Sequence, residues 1–422
     1  MPNRSSQAAQ AAPTQPPSGP PVTGGPPSGL GAITFVLAAA CGLAVANIYF
    51  AQPLLDLLAR SFGTSDGAVT VVVTVTQIGY AAGLFLLLPL GDLFENRKLT
   101  AIMLVVTAAA LALAGSATGL GVFLVASVVI GVTSVVAQIL IPFAAHLTPE
   151  ASRGRVMGRL NSGLLLGVLL ARTLSSLVAA AWGWRAIFFL SSGLMLVTAF
   201  ALFRLLPARA PDHRAGYARL MTSIVALIRD EPVLRQRSLR QALVFAGFSA
   251  YWTSIAYELS AHHGFNQAEI GLFALVGAAG VTVAPIAGRL ADRGTDRYAT
   301  GAALLLAAIA LVVAGLGASR VVLLGLAAVL LDVGMTSNQI LSQRQIYRLR
   351  PDARARLNTV YMGSAFLGGA AGSAIAGALQ GPYGWTGATV FGAAIVFAAF
   401  LLWAWTSCRG RASSRATPAQ PR

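Results

Sequence analysis

The sequence is 422 residues long, 56% of it is hydrophobic and only 10% is charged, and its mean hydropathy is +0.71. A soluble globular domain carries about 25% charged residues, so this composition excludes a water-soluble protein and indicates many apolar helices in a membrane. The net charge of +16 would alone favour a nucleic-acid or acidic partner, so the positions of the charges decide its meaning.

The first residues of the chain differ from the rest. Residues 1–29 are rich in Pro, Gly, Ser and Gln and are nearly uncharged, which is typical of a disordered tail. The tail does not have the basic start and short apolar stretch of a cleaved signal peptide. The two cysteines, Cys41 and Cys408, have no metal-ligand spacing, so we expect packing residues, no metal and no cofactor.

Apolar runs recur along the remaining chain. A helix needs about 20 apolar residues to cross the hydrocarbon core of a bilayer. Cutting the chain where charges or turn residues interrupt such runs predicts an all-α integral membrane protein with twelve transmembrane helices. The predicted spans are 30–52, 68–90, 99–117, 119–143, 156–181, 184–206, 239–260, 270–291, 299–318, 321–346, 357–380 and 384–407.

The basic residues give the spans an orientation. With an even number of spans and both termini in the cytoplasm, 26 of the 30 Lys and Arg residues lie in cytoplasmic segments, and only Arg60, Arg185 and Arg320 lie outside. This bias is the positive-inside rule. It explains the net charge by topology and attraction to anionic lipids. We therefore expect a multi-pass protein of the bacterial inner (plasma) membrane and no nucleic-acid partner.

The two halves of the span pattern repeat at an offset near 200 residues. Asp92 matches Asp292, and Gly183-Trp184 matches Gly384-Trp385. A repeat in the same direction, six helices apart, predicts two pseudo-symmetric bundles related by an axis along the membrane normal, with a central cavity between them.

The repeat and the charge pattern together define the predicted domains. A cytoplasmic tail covers 1–29, and an N-terminal six-helix bundle covers 30–206. A cytoplasmic interdomain loop over 207–238 is basic and has room for a short helix along the membrane surface. The C-terminal six-helix bundle covers 239–407 and a second cytoplasmic tail covers 408–422.

The loop after span eight carries a recognisable motif, Gly288-Arg289-Leu290-Ala291-Asp292-Arg293-Gly294. It resembles the Gly-x-Leu-Ala-Asp-Arg loop of the major facilitator superfamily (MFS), and the resemblance covers nearly the whole chain from 30 to 407. The loop after span two keeps Asp92 and a basic end at Arg97 but departs from the pattern between them. The resemblance implies an MFS fold and conformational gating by these two loops, through Asp92, Arg97, Gly288, Asp292 and Arg293.

Other stretches refine the resemblance. The segments 47–55 and 356–362 are similar to those of bacterial drug or metabolite exporters of uncharacterised substrate. Span five keeps Gly163 and Gly167, the glycine spacing of the drug/proton antiporters. It has Leu-Ala-Arg ending at Arg172 where that branch carries Gly-Pro, which weakens an assignment to drug export.

Ionisable residues inside predicted spans are candidates for function, because a charge at mid-membrane costs several kcal/mol. Asp332 in span ten and Arg172 in span five have similar predicted depths, roughly 16 and 14 Å from the external ends. Neither is repeated in the other half, where Gly131 and Ser373 stand instead. The hypothesis is that the two charges interact across the bundle interface while Asp332 exchanges a proton or a substrate charge. The alternative is a static buried ion pair or bonding to helix backbone.

Glu258, near the external end of span seven, precedes His262 and His263. A carboxylate with imidazoles nearby is a candidate proton relay, and the alternative is an exposed helix end. Adjacent histidines point about 100° apart on a helix and no other ligands lie nearby, so a metal site is not expected.

Polar and aromatic residues at membrane depth are the candidates for the substrate cavity. The alternatives for these residues are helix-to-helix hydrogen bonds and interfacial aromatic belts. The candidates are Asn47, Tyr49, Gln52, Gln138, Tyr251, Trp252, Asn338 and Gln339.

The function that these patterns favour is secondary active transport, as a monomer, of a small organic solute by proton-coupled efflux (antiport). An alternative is a uniporter or symporter of a sugar, amino acid or organic acid. A different class is a membrane sensor or scaffold on a transporter fold. The sequence has no Gly-Lys-Ser/Thr phosphate loop and no clustered catalytic residues, so neither an ATP-driven pump nor an enzyme is expected.

Overall fold

The computed structural model describes residues 30–208, 216–277, 296–350 and 353–415, and no strand occurs in them. The helices of the first half are α1 Leu30–Ala46, α2 Leu55–Phe62, α3 Asp66–Val69, α4 Val71–Leu86, α5 Asn96–Gly115, α6 Leu120–Thr133, α7 Val136–Leu147, α8 Glu150–Trp182 and α9 Trp184–Leu205. The later helices are α10 Tyr217–Asp230, α11 Pro232–His263, α12 Gln267–Ala274, α13 Asp296–Leu316, α14 Val321–Leu349 and α15 Arg354–Arg415.

Eight helices in the described residues are long and apolar enough to cross a membrane. The last of them, α15, contains both predicted spans 357–380 and 384–407 and is bent at Gly384, whose φ of 52° is non-helical. Nine of the twelve predicted spans therefore fall within these eight helices, and the described helices fit an MFS fold of two halves.

The first predicted span, 30–52, is not one continuous helix. α1 ends at Ala46, the segment 47–51 forms turns, Gln52–Leu54 is a short 3-10 helix, and α2 continues to Phe62. Pro53 has no N–H for a continuing helix. The whole break is buried, which fits the rule that irregular backbone at membrane depth lies inside protein. Ser175 Oγ donates to the freed carbonyl of Phe50 at 2.7 Å.

Two other spans differ from the expected ranges. α11 begins at Pro232, inside the segment 207–238 that the sequence assigns to the interdomain loop. Span eight begins as α12 and a 3-10 turn, Leu275–Gly277, and the rest of the predicted span 270–291 lies outside the described residues. Gly288, Asp292 and Arg293, together with the tail 1–29, lie outside them too.

α10 occupies the middle of the predicted interdomain loop as an amphipathic helix. Its buried residues Ile224 and Leu227 pack in one cluster with Leu357 and Tyr361 of α15. The Tyr217 hydroxyl donates to the Leu86 carbonyl in the first half at 3.1 Å. The linker helix thus contacts both halves of the molecule.

The turns at one face of the helix bundle reveal the internal repeat. Four glycines with positive φ, Gly63, Gly183, Gly264 and Gly384, each follow an odd-numbered span, so we call this the glycine-turn face and the opposite one the basic face. Gly63 and Gly264 are 201 residues apart, as are Gly183 and Gly384. The left-handed conformation at each turn favours glycine because it has no Cβ.

The helix starts after two of these turns are also equivalent. Ser65 Oγ accepts from the amide of Ala68 at 3.3 Å, and Asn266 Oδ1 accepts from the amide of Glu269 at 3.0 Å. The capping residues are again 201 positions apart, so both spans two and eight begin with the same side-chain cap.

Glycines bring the helices of each half into close contact. In the first half, a Cβ on Gly163 or Gly167 would collide with the backbone of Ala38 or Gly42 on α1. In the second half, Gly368 and Gly372 of α15 approach the backbone of α11 at Ala242 and Ala246 in the same way. Such small-residue crossings provide close van der Waals packing where lipid supplies no hydrophobic drive between helices.

We predict that Gly167→Ala destabilises the protein by about 1–3 kcal/mol, because the added methyl group overpacks a contact made of backbone atoms. The matched control is Gly193→Ala, where a Cβ would meet nothing within 4 Å. Thermal unfolding of the detergent-purified protein measures both. Equal melting temperatures for the two variants would contradict the prediction.

Candidate functional site

A buried cluster around Trp252 joins the two halves of the molecule at mid-span. α8 supplies Arg172, the break after α1 supplies Tyr49 and Gln52, α11 supplies Trp252 and α14 supplies Asp332. The turns of the break, rather than a helix, direct Tyr49 and Gln52 towards α8. Five of the sequence candidates thus lie together, which we call the Trp252 cluster.

Arg172 is buried, with only 6% of its surface exposed. Its Nε donates to Gln52 Oε1 at 2.8 Å. The guanidinium carbon lies 4.4 Å from the centre of the Trp252 ring and 4.9 Å from that of Tyr49. Such cation–π contacts stabilise a desolvated cation. The Nη2 atom, however, has no hydrogen-bond partner in the part of the chain that the structure describes.

Asp332 faces the same indole ring. Trp252 Nε1 donates to Asp332 Oδ1 at 3.4 Å, a long hydrogen bond. A Cβ at position 277 would collide with Asp332 Oδ2 and with the Trp252 ring, so glycine there lets the backbone of span eight approach the carboxylate. Asp332 is 9% exposed.

The two charges do not touch. Arg172 and Asp332 influence each other electrostatically, yet no guanidinium nitrogen of Arg172 lies within 4.0 Å of a carboxylate oxygen of Asp332. Each charge is buried with fewer partners than it can use, and a half-satisfied buried polar network is unfavourable. The static ion pair considered as an alternative is therefore not what the two side chains form in this structure.

Two cavity candidates bind within their own half of the molecule. Asn47 accepts from Ser191 Oγ at 2.7 Å and its amide lies 3.5 Å from the sulfur of Met195. The Tyr251 hydroxyl donates to the carbonyl of Leu324 at 2.8 Å. Both are the helix-to-helix contacts that the sequence left open as the alternative.

Three further candidates lie closer to the basic face. Gln138 Oε1 accepts from Asn358 across the two halves at 3.2 Å. Asn338 donates to Gln241 at 2.7 Å, and the Gln339 amide lies 3.8 Å from the Met362 sulfur. Asn358 lies within the segment 356–362 but was not predicted to line the cavity. An amide between the basic residues before it and the apolar residues after it was the sequence signal for such a buried contact.

Glu258 and the histidines form a separate site at the glycine-turn face. Glu258 lies 3.1 Å from His262 Nδ1, whereas His263 Nε2 lies 2.8 Å from the carbonyl of Ala318. The two imidazoles thus have different partners, as expected from their positions on the helix. Among the described residues, no group of three or more His, Cys, Asp or Glu side chains could hold a metal.

Charged residues of the loop after span two pair with one another. Asp92 ends the 3-10 helix Leu88–Asp92. Arg97 lies 3.0 Å from Glu95 and its guanidinium carbon is 4.9 Å from the centre of the Phe203 ring, both in the first half. A hydrogen bond from Lys98 lowers the pKa of Glu95. The departure from the MFS motif at Glu95 thus supplies a local partner for both basic residues.

Contacts that the sequence analysis missed join the two halves at the glycine-turn face. Gln267 Nε2 donates to the Pro53 carbonyl at 2.8 Å and to Ser176 Oγ at 3.0 Å. Nearer the centre, the hydroxyls of Thr74 and Ser373 are 2.9 Å apart. Thr74 and Ser373 stand in largely apolar runs, and Gln267 stands among other polar residues at a helix start, so their sequence context carried no signal of a shared interface.

Comparison with known proteins agrees with this architecture. The model of the Major Facilitator Superfamily matches residues 34–240 and 237–422. The chain is 41% identical over 373 residues to the uncharacterized transporter YgaY of Escherichia coli O157:H7, covering 88% of this chain and 95% of that protein. It is 35% identical over 385 residues to the "Probable transporter SCO4007" of Streptomyces coelicolor, covering 90% and 88% respectively.

Solved structures share the fold at low sequence identity. A bacterial homolog of the human lysosomal transporter Spinster, in an inward-facing and occupied conformation, has a TM-score of 0.69 at 14% identity, covering 93% of this chain and 98% of that one. The human organic anion transporter MFSD10 has a TM-score of 0.62 at 19% identity, covering 90% and 100%. The chain is therefore a multi-pass, non-enzymatic membrane transporter that belongs to the Major Facilitator Superfamily.

Proposed function

We propose that this transporter exports a small organic solute in exchange for protons, with Asp332 as the group that carries the proton. The observation that supports the proposal is the position of Asp332, a buried carboxylate at the junction of the two halves whose partner within hydrogen-bond distance is the Trp252 indole. Intramembrane carboxylates of this kind are typical of proton pathways.

Exchange follows if the proton and the solute compete for the same carboxylate. A protonated Asp332 has lost the charge that attracts a polar or cationic group of the solute, whereas an ionised Asp332 offers that charge. Arg172 keeps a positive charge against the same indole, so a site with a protonated Asp332 repels a cationic group of the solute. Each occupant therefore weakens the binding of the other, which is the linkage that antiport needs.

The proposed movement is a rocking of the two halves about the Trp252 cluster. The hydrogen bonds that join the halves, such as those of Gln267 to Pro53 and Ser176, are between neutral groups. A bond of this kind contributes about 0.5–1.5 kcal/mol net, so several can break and reform in each cycle. We propose that Gln267 helps to close the glycine-turn face.

The orientation that goes with export puts the glycine-turn face outside and the basic face in the cytoplasm of a bacterial inner membrane. The basic residues of the described chain support it, because they are concentrated in the segments joining even-numbered to odd-numbered spans. Positive residues are retained on the cytoplasmic side and attract anionic lipids.

We predict that Asp332→Asn reduces proton-driven flux to the level of protein-free liposomes, because an amide cannot exchange a proton. The measurement is efflux from proteoliposomes with an imposed pH gradient, screened with drugs, sugars, amino acids and organic acids. Asp56→Asn is the matched control, since Asp56 pairs with Arg60 on an exposed surface at 2.9 Å. Undiminished gradient-driven transport by Asp332→Asn would refute the role of this carboxylate.

We also predict the orientation from thiol labelling of intact cells with a membrane-impermeant maleimide. The natural Cys408 is exposed at the basic-face end of α15, so it should react only after the cells are permeabilised. In a Cys408→Ser background, His262→Cys places a thiol at a position with 70% exposure and should react without permeabilisation. The reverse pattern would invert the proposed topology.

A further inference from the structure

Two buried charged groups of the Trp252 cluster have too few hydrogen-bond partners, and both contact one ring, Arg172 at its face and Asp332 at its edge. Arg172 Nη2 is a buried donor without an acceptor among the described residues. Asp332 is a buried carboxylate that accepts one long hydrogen bond, from Trp252 Nε1. Buried charges with too few partners cost free energy, and in this structure the two side chains do not bond to each other.

Possible ligands differ in how well their charges complement Arg172 and Asp332. A simple anion bound to Arg172 would leave an ionised Asp332 without a partner and would be repelled by it. A simple cation bound to Asp332 would leave Arg172 Nη2 unsatisfied and would be repelled by the guanidinium. A ligand that carries both charges satisfies both groups and keeps the site electrically neutral.

We infer that the substrate is a zwitterion of the α-amino-acid class, whose carboxylate binds Arg172 and whose ammonium group binds Asp332. In an α-amino acid the two charged groups are attached to one carbon, which matches two charged side chains that both contact a single indole. A charge-assisted bond from Nη2 to a carboxylate is among the stronger hydrogen bonds.

The surroundings of the two charges suggest the side chain of the ligand. Rings line the guanidinium, with Tyr49 and Phe248 at 4.9 and 5.7 Å from its carbon atom and Trp252 at 4.4 Å. Aromatic surfaces favour apolar or aromatic groups. The inference rests on the proposed function, since the substrate ammonium then takes the place of the proton on Asp332.

The test is equilibrium binding to the purified full-length protein in detergent, which needs no pH gradient. L-Phenylalanine, L-leucine and L-tryptophan are the zwitterionic probes. 2-Phenylethylamine lacks the carboxylate of phenylalanine, and 3-phenylpropionate lacks its amine. We expect at least one zwitterion to bind, and its analogues lacking either charge to bind at least about tenfold more weakly, the loss of one good polar contact.

Two variants assign each charge to its partner. Arg172→Gln should weaken binding of the amino acid and strengthen binding of the amine, because the variant loses the carboxylate partner of the one and the guanidinium that repels the other. Asp332→Asn should bring the amino acid to the level of the carboxylate-only analogue. Arg185→Gln and Asp56→Asn are the matched controls, because Arg185 bonds the Ala117 carbonyl at 3.1 Å and Asp56 pairs with Arg60. Both controls should bind as the parent does, and unfolding curves check that all four variants fold.

The outcomes separate this inference from the proposed function. Equal binding of 3-phenylpropionate and phenylalanine would replace the zwitterion with a simple organic anion. Failure of all three amino acids to bind, while proton-driven flux of another compound occurs, would overturn the substrate class alone. Zwitterion binding together with flux that ignores the pH gradient would uphold the substrate class and overturn proton exchange.

Discussion

The interaction on which the centre of this molecule depends is the stacking of a buried guanidinium on an indole that also donates to a buried carboxylate. Hydrocarbon cannot solvate either charge, so the protein must supply their surroundings. The break in span one supplies Gln52 and Tyr49, and the glycine at position 277 admits span eight. Two irregular parts of the fold therefore lie beside Arg172 and Asp332.

Much of the architecture could be predicted because its causes are local or repeated in the sequence. Span lengths follow from the thickness of hydrocarbon, and the repeat of Gly183 at Gly384 follows from a turn that only glycine makes easily. Arg172 and Asp332 were identified because the cost of an intramembrane charge does not depend on its neighbours. Both side chains contact Trp252 in the structure, and their roles in transport stay a proposal.

The remaining features depend on the direction in which each side chain points, which a sequence dominated by Leu, Ala, Val and Gly does not encode. The continuous span predicted over 30–52 was wrong because Pro53 has no N–H for a continuing helix and the freed carbonyl of Phe50 found a partner on another helix, Ser175. Asn47 and Tyr251 turned towards their own half for the same reason. Gln267 was not predicted because polar residues at a helix start are ordinary until their partners across the interface are known.

Trp252 also couples the positions of the two charged side chains that it contacts. The indole is one rigid plane, with the guanidinium on its face and the carboxylate at its edge. A tilt of that plane changes both contacts together. Protonation or ligand binding at Asp332 that tilts the ring therefore displaces the ring relative to Arg172, in addition to changing the electric field there. Because α11 carries the ring and α8 carries the arginine, the same tilt changes a contact that joins the two halves of the protein.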